Sequence, residues 1–354
     1  MIKVVTVVGA RPQFIKAAVA SREFQQDAQI QEVMIHTGQH FSNNMSDVFF
    51  DEMKIPKPKY NLGISGLSHG AMTGEMLKGI EEVLLIEKPD WVLVYGDTNS
   101  TLAASLAACK LHIKVAHVEA GLRSFNMKMP EEINRILTDR VSELLFCPSE
   151  EAIQNLKKEG FDHFNKKVLN TGDIMYDAVL FYSKLAPATA YKNNFILATT
   201  HRAENTDDLN RLKSILTAFN EIGKEIQIIL PLHPRTKKII EQNQLSTNHI
   251  TIIEPVGYLE MISLQKNCQM IFTDSGGLQK EAYFHHKPCL TLRDETEWVE
   301  LLATGCNELV GSNSQKIIEA YGRFKNKPFS FSQNPYGNGK TAAVIKKALL
   351  NESH

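Results

Sequence analysis

The sequence predicts an α/β protein of two parallel-sheet domains with a cleft between them. Short apolar runs alternate with helical stretches, in the order strand, loop, helix, from Ile2 to Asn170. The same alternation begins again at Asn194 and continues to Leu292. At 354 residues the chain is long enough for two such domains. The expected division is an N-terminal Rossmann-like domain over 1–170 and a C-terminal one over 171–336. A helix at 339–350 is expected to pack back on the first domain.

In chain order, Ile2 to Val8 is a buried strand, and Gly9-Ala10-Arg11-Pro12 turns it into a helix through Phe14, Lys16 and Val19. A helix that starts at such a turn is a place for phosphate. Arg11 and Lys16 are the charges nearest to it. GARPQF has one glycine where a dinucleotide fingerprint needs three, so no NAD site is expected. Glu32 to His36 is the second strand, with Gln39 and His40 in the loop beyond. His36 and His40 are four apart, but Gly38 lies between them and no third ligand is near. The expectation is a polar loop with His40 near a ligand, and no metal. Ser42 to Met53 and Gly70 to Glu87 read as helices. The second carries Met72, Met76, Ile80 and Leu84 on one face.

The densest chemistry lies between Tyr95 and Arg135. Trp91 to Tyr95 reads as a buried strand ending on Gly96-Asp97-Thr98. Lys114 to Val118 reads as the next, ending on Glu119 and followed by Gly121 and Arg123. Pro130 then opens a helix whose first turn holds Glu131, Glu132 and Arg135. Ligands of open α/β sheets bind at the carboxyl ends of strands. An acid at such a place also serves as a helix cap, and for any single one of these the residues leave both roles open.

Beyond it, Glu143 to Cys147 and Lys167 to Asn170 read as strands, with Ser149 capping the helix between them. Thr171-Gly172-Asp173 is the expected crossover, and Leu185 to Asn194 a polar connection. In the second domain the strands Asn194 to Thr199, Gln227 to Leu230, Ile250 to Ile253, Met270 to Thr273 and Cys289 to Leu292 end on loops. These carry His201 and Arg202, Arg235, Tyr258, Ser275-Gly276-Gly277, and Arg293. One helix is expected from Asp207 to Ile222. Gly337-Asn338-Gly339-Lys340-Thr341 resembles half a P-loop, but Asn334 stands where a glycine is needed and no strand precedes it, which excludes triphosphate hydrolysis.

Composition narrows the class. Hydrophobic residues make up 43 % and charged residues 22 %, and the net charge is −1, so no global basic field exists to attract nucleic acid or membrane. The five cysteines are scattered, without a CxxC pair, and read as reduced thiols. The first residues enter a strand with no signal-peptide pattern. The expected setting is cytoplasmic.

The motifs GDTNSTLA, HVEAGLRS and PEEINR resemble the non-hydrolysing UDP-N-acetylglucosamine 2-epimerases, and the resemblance covers nearly the whole chain. It implies a GT-B-like fold, two Rossmann-like domains facing a central cleft. It implies Asp97, Glu119, Glu131 and His201 as catalytic residues. It places Arg11 and Lys16 at the nucleotide or active site. DSGGxQxEA resembles the diphosphate loop of such proteins, with Ser275, Gly276 and Gly277 at the diphosphate and Glu281 on the ribose hydroxyls. Arg202, Arg235 and Arg293 are candidates for added charge, His40 for the sugar, and Arg123 and Arg135 for substrate contact. The implied partners are a UDP-sugar substrate and a second copy of the chain in a homodimer, with no cofactor, nucleic acid or membrane.

The longer runs QHFSNNMSDVFF, LRSFNMKMPEEINRILTD and RDETEWVE look most like the branch acting on UDP-2,3-diacetamido-2,3-dideoxyglucuronate. That branch makes the mannuronate isomer for surface polysaccharide, O-antigen or capsule. The QHR-type motif of substrate-activated members is Gln39-His40-Phe41-Ser42 here, which departs from the pattern. The rivals are UDP-N-acetylglucosamine as substrate, a GT-B glycosyltransferase, and a binding protein without turnover, against which three acids at strand and helix ends argue.

Overall fold

A computed structural model describes residues 1–39, 50, 53–191 and 194–353. His40 and most of the helix expected over Ser42 to Met53 lie outside these residues. The chain forms two compact units, Met1–Ala178 with Pro335–His354, and Val179–Asn334.

In unit 1 the strands are β1 (Ile2–Val8), β2 (Ile30–His36), β3 (Tyr60–Asn61), β4 (Trp91–Tyr95), β5 (Lys114–Val118), β6 (Leu144–Cys147) and β7 (Lys167–Asn170). They pair in parallel in the order β3-β2-β1-β4-β5-β6-β7. WVLVY of β4 is buried at every position, as a strand covered by helices on both faces must be. Val5, Val7, Val33, Val92 and Val94 pack against Met76, Ile80 and Leu84 of the helix His69–Glu87 and against the alanines of Asn99–Lys110.

The helix Thr341–Asn351 belongs to this unit, with Ala342, Ile345 and Leu349 buried. Asp177 accepts from its first free backbone groups, Thr341 N at 3.1 Å and Ala342 N at 3.0 Å. Trp91 Nε1 donates to Ser353 Oγ at 2.7 Å at the other end.

Unit 2 repeats the plan with β8 (Phe195–Thr199), β9 (Gln227–Pro231), β10 (Ile250–Ile253), β11 (Met270–Thr273), β12 (Cys289–Thr291) and β13 (Asn307–Leu309), parallel in the order β10-β9-β8-β11-β12-β13. Unit 2 therefore has the 3-2-1-4-5-6 strand order of the Rossmann plan, and unit 1 the same order with a seventh strand added at the edge.

Several expectations change in detail. β3 and β13 are short and carry Asn and Glu, so no apolar run announces them. The helix expected from Asp207 to Ile222 spans Leu209–Ile222, where Asp208 caps it, accepting from Asn210 N at 2.9 Å and Arg211 N at 3.2 Å; a separate single turn, Ala203–Thr206, stands in the loop before it. The five thiols are free, and four are buried, but Cys109 is exposed. No helix among the described residues is long and apolar enough to cross a membrane.

Candidate active site

In a sheet of this order the chain leaves the first strand toward one edge and returns beside it toward the other. The two loops at that switch diverge and leave room for a ligand. In unit 1 the switch lies between β1 and β4, so the loops are those of Gly9 to Arg11 and of Gly96 to Thr98. One buried side chain ties them. Gln13 Oε1 accepts from Gly9 N at 2.8 Å and Ala10 N at 2.9 Å, while its Nε2 donates to Tyr95 O at 2.8 Å and Thr101 Oγ1 at 2.9 Å. All four of its hydrogen-bond positions are thus used.

Asp97 is partly exposed just past β4. The Arg135 guanidinium binds its Oδ2 through Nε at 3.1 Å and through Nη2, and Asn134 Nδ2 donates to its backbone carbonyl at 2.9 Å. Glu119, past β5, is buried and ion-paired with Lys16 Nζ. It has φ +70°, a left-handed conformation rare outside glycine. Two consecutive N–H groups, those of Glu119 and Ala120, share the Phe146 carbonyl at 3.1 Å and hold it there. Gly96 links the two acids: a Cβ added to it would lie 3.3 Å from Glu119 Oε2 and 3.6 Å from Lys16 Nζ. Arg11, partly exposed, opens the helix Arg11–Gln25.

Glu131 and Glu132 open the helix Pro130–Val141 and diverge. Glu131 is exposed. Glu132 is buried, accepting from Ser124 N at 2.9 Å, Ser124 Oγ at 2.8 Å, Phe125 N at 2.9 Å and Arg135 Nη1 at 2.9 Å. It latches the loop before the helix.

Read from sequence as a candidate substrate contact or else as a structural ion pair with a nearby acid, Arg123 is buried and paired with two acids: Nε and Nη2 donate to Glu159 at 2.6 and 2.8 Å, and Nη1 to Asp139 at 2.8 Å and Leu122 O at 2.6 Å.

In unit 2 the switch lies between β8 and β11, and again one buried group ties the loops. Asp274, read from sequence only as the start of a glycine loop, accepts from His201 N at 3.0 Å, Arg202 N at 3.1 Å, Thr200 Oγ1 at 3.1 Å and Asn205 Nδ2 at 3.2 Å. His201 Nδ1 lies 3.1 Å from Asp274 Oδ1, and its imidazole is 54 % exposed. Burial alone would raise the Asp274 carboxyl; the His201 contact and the Arg202 and Asn205 donors hold it below the usual range.

Ser275 caps the helix Gly276–Phe284 through Leu278 N at 3.4 Å. A Cβ on Gly276 would fall 2.6 Å from Glu297 Oε1, whereas one on Gly277 would meet nothing nearer than Ser275 Oγ at 4.0 Å. Glu297, unremarked in the sequence, takes Arg293 Nη1 at 2.9 Å. Burial opposes its ionisation, but the Arg293 and Arg202 charges keep its carboxyl low. Glu281 is buried and accepts from Gln265 Nε2 at 2.6 Å. Arg235 is exposed and pairs with Asp207 at 2.6 Å. A cavity of about 230 Å³ opens beside His201 and Ser275, walled by Pro231, Pro255, Val256 and Met261. Asp274 was legible only as a polar residue at a strand end, since its partners stand 69 to 74 residues away; Glu297 and Arg293 are four apart, a spacing that could have marked the pair.

The family model for UDP-N-acetylglucosamine 2-epimerase matches residues 22–350. A Pseudomonas aeruginosa UDP-2,3-diacetamido-2,3-dideoxy-D-glucuronate 2-epimerase is 53 % identical, covering 98 % of this chain and 99 % of its own. A Methanococcus maripaludis UDP-N-acetylglucosamine 2-epimerase homolog is 52 % identical, over 99 % of each chain. The crystal structure of a Methanocaldococcus jannaschii UDP-GlcNAc 2-epimerase in complex with UDP-GlcNAc and UDP superposes with a TM-score of 0.88 at 45 % identity, covering 99 % of both chains.

Proposed function

The chain belongs to the UDP-N-acetylglucosamine 2-epimerase family, and from that premise we propose that it inverts C2 of a UDP-2-acetamido sugar by eliminating UDP and adding it back. As a UDP-sugar 2-epimerase it is an isomerase, so substrate and product share one oxidation level and the reaction needs no net oxidant. The difficulty is the C2 hydrogen, which has no neighbouring carbonyl to acidify it. Breaking the C1–O bond, with UDP leaving on the electron pair, gives C1 positive character. A carboxylate then takes the C2 proton and a C1=C2 bond forms. Reprotonation on the other face and return of UDP to C1 complete the inversion.

The observation that carries this reading is the pair of acids on consecutive strand ends of unit 1. Asp97 is held by Arg135 and Glu119 by Lys16, with Gly96 between them. Proton transfer is assigned to Asp97, Glu119 and the exposed Glu131. The leaving diphosphate is assigned to the N-terminus of the helix at Ser275–Gly277, with His201 and Arg202 beside it, and to Arg11. The apolar cavity beside His201 suits the flat uracil, and Glu281, aimed by Gln265, the ribose hydroxyls.

The preferred substrate is UDP-2,3-diacetamido-2,3-dideoxy-D-glucuronate, giving the mannuronate isomer for surface polysaccharide; the Pseudomonas relative supports this. Arg123 is not assigned to the uronate carboxylate, since it is buried and four of its five N–H donors already meet Glu159, Asp139 and Leu122 O. UDP-N-acetylglucosamine is the second reading, supported by the Methanococcus relative. Turnover in D2O tests the mechanism: both epimers should acquire deuterium at C2. Epimerised product with no solvent deuterium defeats the elimination route.

A further inference from the structure

We infer that His117 is a positioning residue that holds the two acid-bearing turns of unit 1 in register by donating hydrogen bonds from both ring nitrogens. The inference rests on the reading of Asp97 and Glu119 as proton-transfer groups. It starts from a ring buried within the sheet. His117 lies on β5, its side chain fully inaccessible, with Nδ1 2.7 Å from Asp139 Oδ1 and Nε2 2.7 Å from the Gly96 carbonyl oxygen. A carbonyl oxygen only accepts. An ionised carboxylate only accepts.

Asp139 is ionised. Burial would raise its carboxyl, but it lies below its ordinary value, and two donors other than the ring hold its second oxygen, the Arg123 guanidinium at 2.8 Å and the Gly121 N–H at 3.1 Å. A neutral imidazole has one donor and would leave one of these short contacts between two acceptors. The ring therefore carries two N–H groups. The groups around it complete the balance: Arg123 sits on the other oxygen of Asp139 at 2.8 Å, and Glu159 sits on Arg123. Two cations thus meet two carboxylates, with Glu159 the partly exposed member of the four.

The reach of this cluster is what ties it to the acids. Gly96 precedes Asp97, and both of its backbone groups are bound by β5: its carbonyl by His117, its N–H by Val118 O at 2.9 Å. Gly121 follows Glu119 by two residues, and its N–H donates to Asp139 Oδ2 at 3.1 Å. Gly121 has φ +79°, and a Cβ there would lie 2.3 Å from Ala152 O, so the turn packs closely against Ala152 and accepts no side chain. One imidazolium–carboxylate pair thus grips the peptide before one acid and the peptide after the other. Acids set for opposite faces of one carbon need that mutual register, and a displacement of about 1 Å costs roughly 10²-fold in rate.

Two substitutions separate the arms of the ring. His117→Asn keeps a donor toward Asp139 and loses the one toward Gly96; His117→Gln keeps the donor toward Gly96. With whichever of the two UDP-sugars turns over faster, the Asn variant should lose roughly 10²-fold in kcat, with KM and UDP affinity little changed. The Gln variant should retain most of the rate. In wild-type protein with isotope-labelled histidine, NMR should show one buried ring donating from both nitrogens, its two protons slow to exchange. A ring with one proton overturns the inference, and so does an Asn variant with undiminished kcat. Asp97→Asn is run alongside. Undiminished turnover there removes the catalytic assignment of Asp97, whereas the ring protonation still decides whether His117 grips the turn.

Discussion

Glu131 and Glu132 adjoin in the chain and differ in everything else. Glu132 lies on the helix face it shares with Arg135 and Asp139, at steps of three and seven, and is buried with them. Glu131 faces outward. Glu131→Gln should leave the thermal midpoint unchanged and lower turnover by roughly 10²-fold. Glu132→Ala should lower stability by about 3–5 kcal/mol, because buried donors from Ser124, Phe125 and Arg135 lose their acceptor. Denaturant titration and initial rates check both, and an unstable Gln variant with normal rate per folded molecule would reverse the roles. Asp97→Asn and Glu119→Gln should resemble Glu131→Gln in rate while UDP still binds. Among these residues the sequence displayed the acids, because proline and glycine mark the helix start and the strand ends. It did not display which glutamate is buried, since periodicity gives a face without its direction. Nor did it display that Arg123 is spent on Asp139 and Glu159, a matter of contacts 16 and 36 residues away.

The elements that place the site are the two loops at each switch point, and their glycines allow a test. The Cβ position of Gly277 is open, with its own Ser275 hydroxyl the nearest atom at 4.0 Å. Gly277→Ala should therefore fold with an unaltered thermal midpoint, yet a methyl there would stand where a diphosphate approaches the helix N-terminus. UDP affinity, read by calorimetry, should fall about tenfold or more, the order of a charge-assisted hydrogen bond. Unchanged affinity would remove the diphosphate from this loop. Strands such as β1, β4, β5 and β11 were legible because apolar residues dominate each run, despite polar members such as Thr6 and His117. β13 was not: Asn307, its first residue, is buried by accepting from Thr291 Oγ1 at 2.7 Å, and such polar satisfaction has no local signature.

For the molecule as a whole, two desolvated histidines, His36 buried and His285 half-buried, predict how stability follows pH. Burial lowers His36 in unit 1 to about 4. Burial, with the Lys287, Lys266 and His286 charges, lowers His285 in unit 2 to about 4. The unfolded chain takes up these protons near 6.5, the folded one only near 4, so their contribution is complete above 6.5 and declines as pH falls toward 4. Unfolding midpoints across that window should drop on acidification, and His36→Gln with His285→Gln should flatten the drop; an unaltered slope would assign it to other groups. Substrate choice also belongs to this scale. With both UDP-sugars in one tube, the anomeric signals should show the diacetamido uronate consumed far faster, and faster loss of UDP-N-acetylglucosamine would leave the 2-epimerase reading without the uronate branch. The division of the chain has a further bearing on how it is made. Unit 2 is one uninterrupted segment, whereas unit 1 needs its last helix, which Asp177 caps and Trp91 reaches. Unit 2 holds all of its own sheet and can fold without the last helix, whereas unit 1 stays open until Ile345 and Leu349 are supplied. A stop codon after Asn334 would thus strike the half translated first: released chains of that length should resist protease over 179–334 and be cut within 1–178.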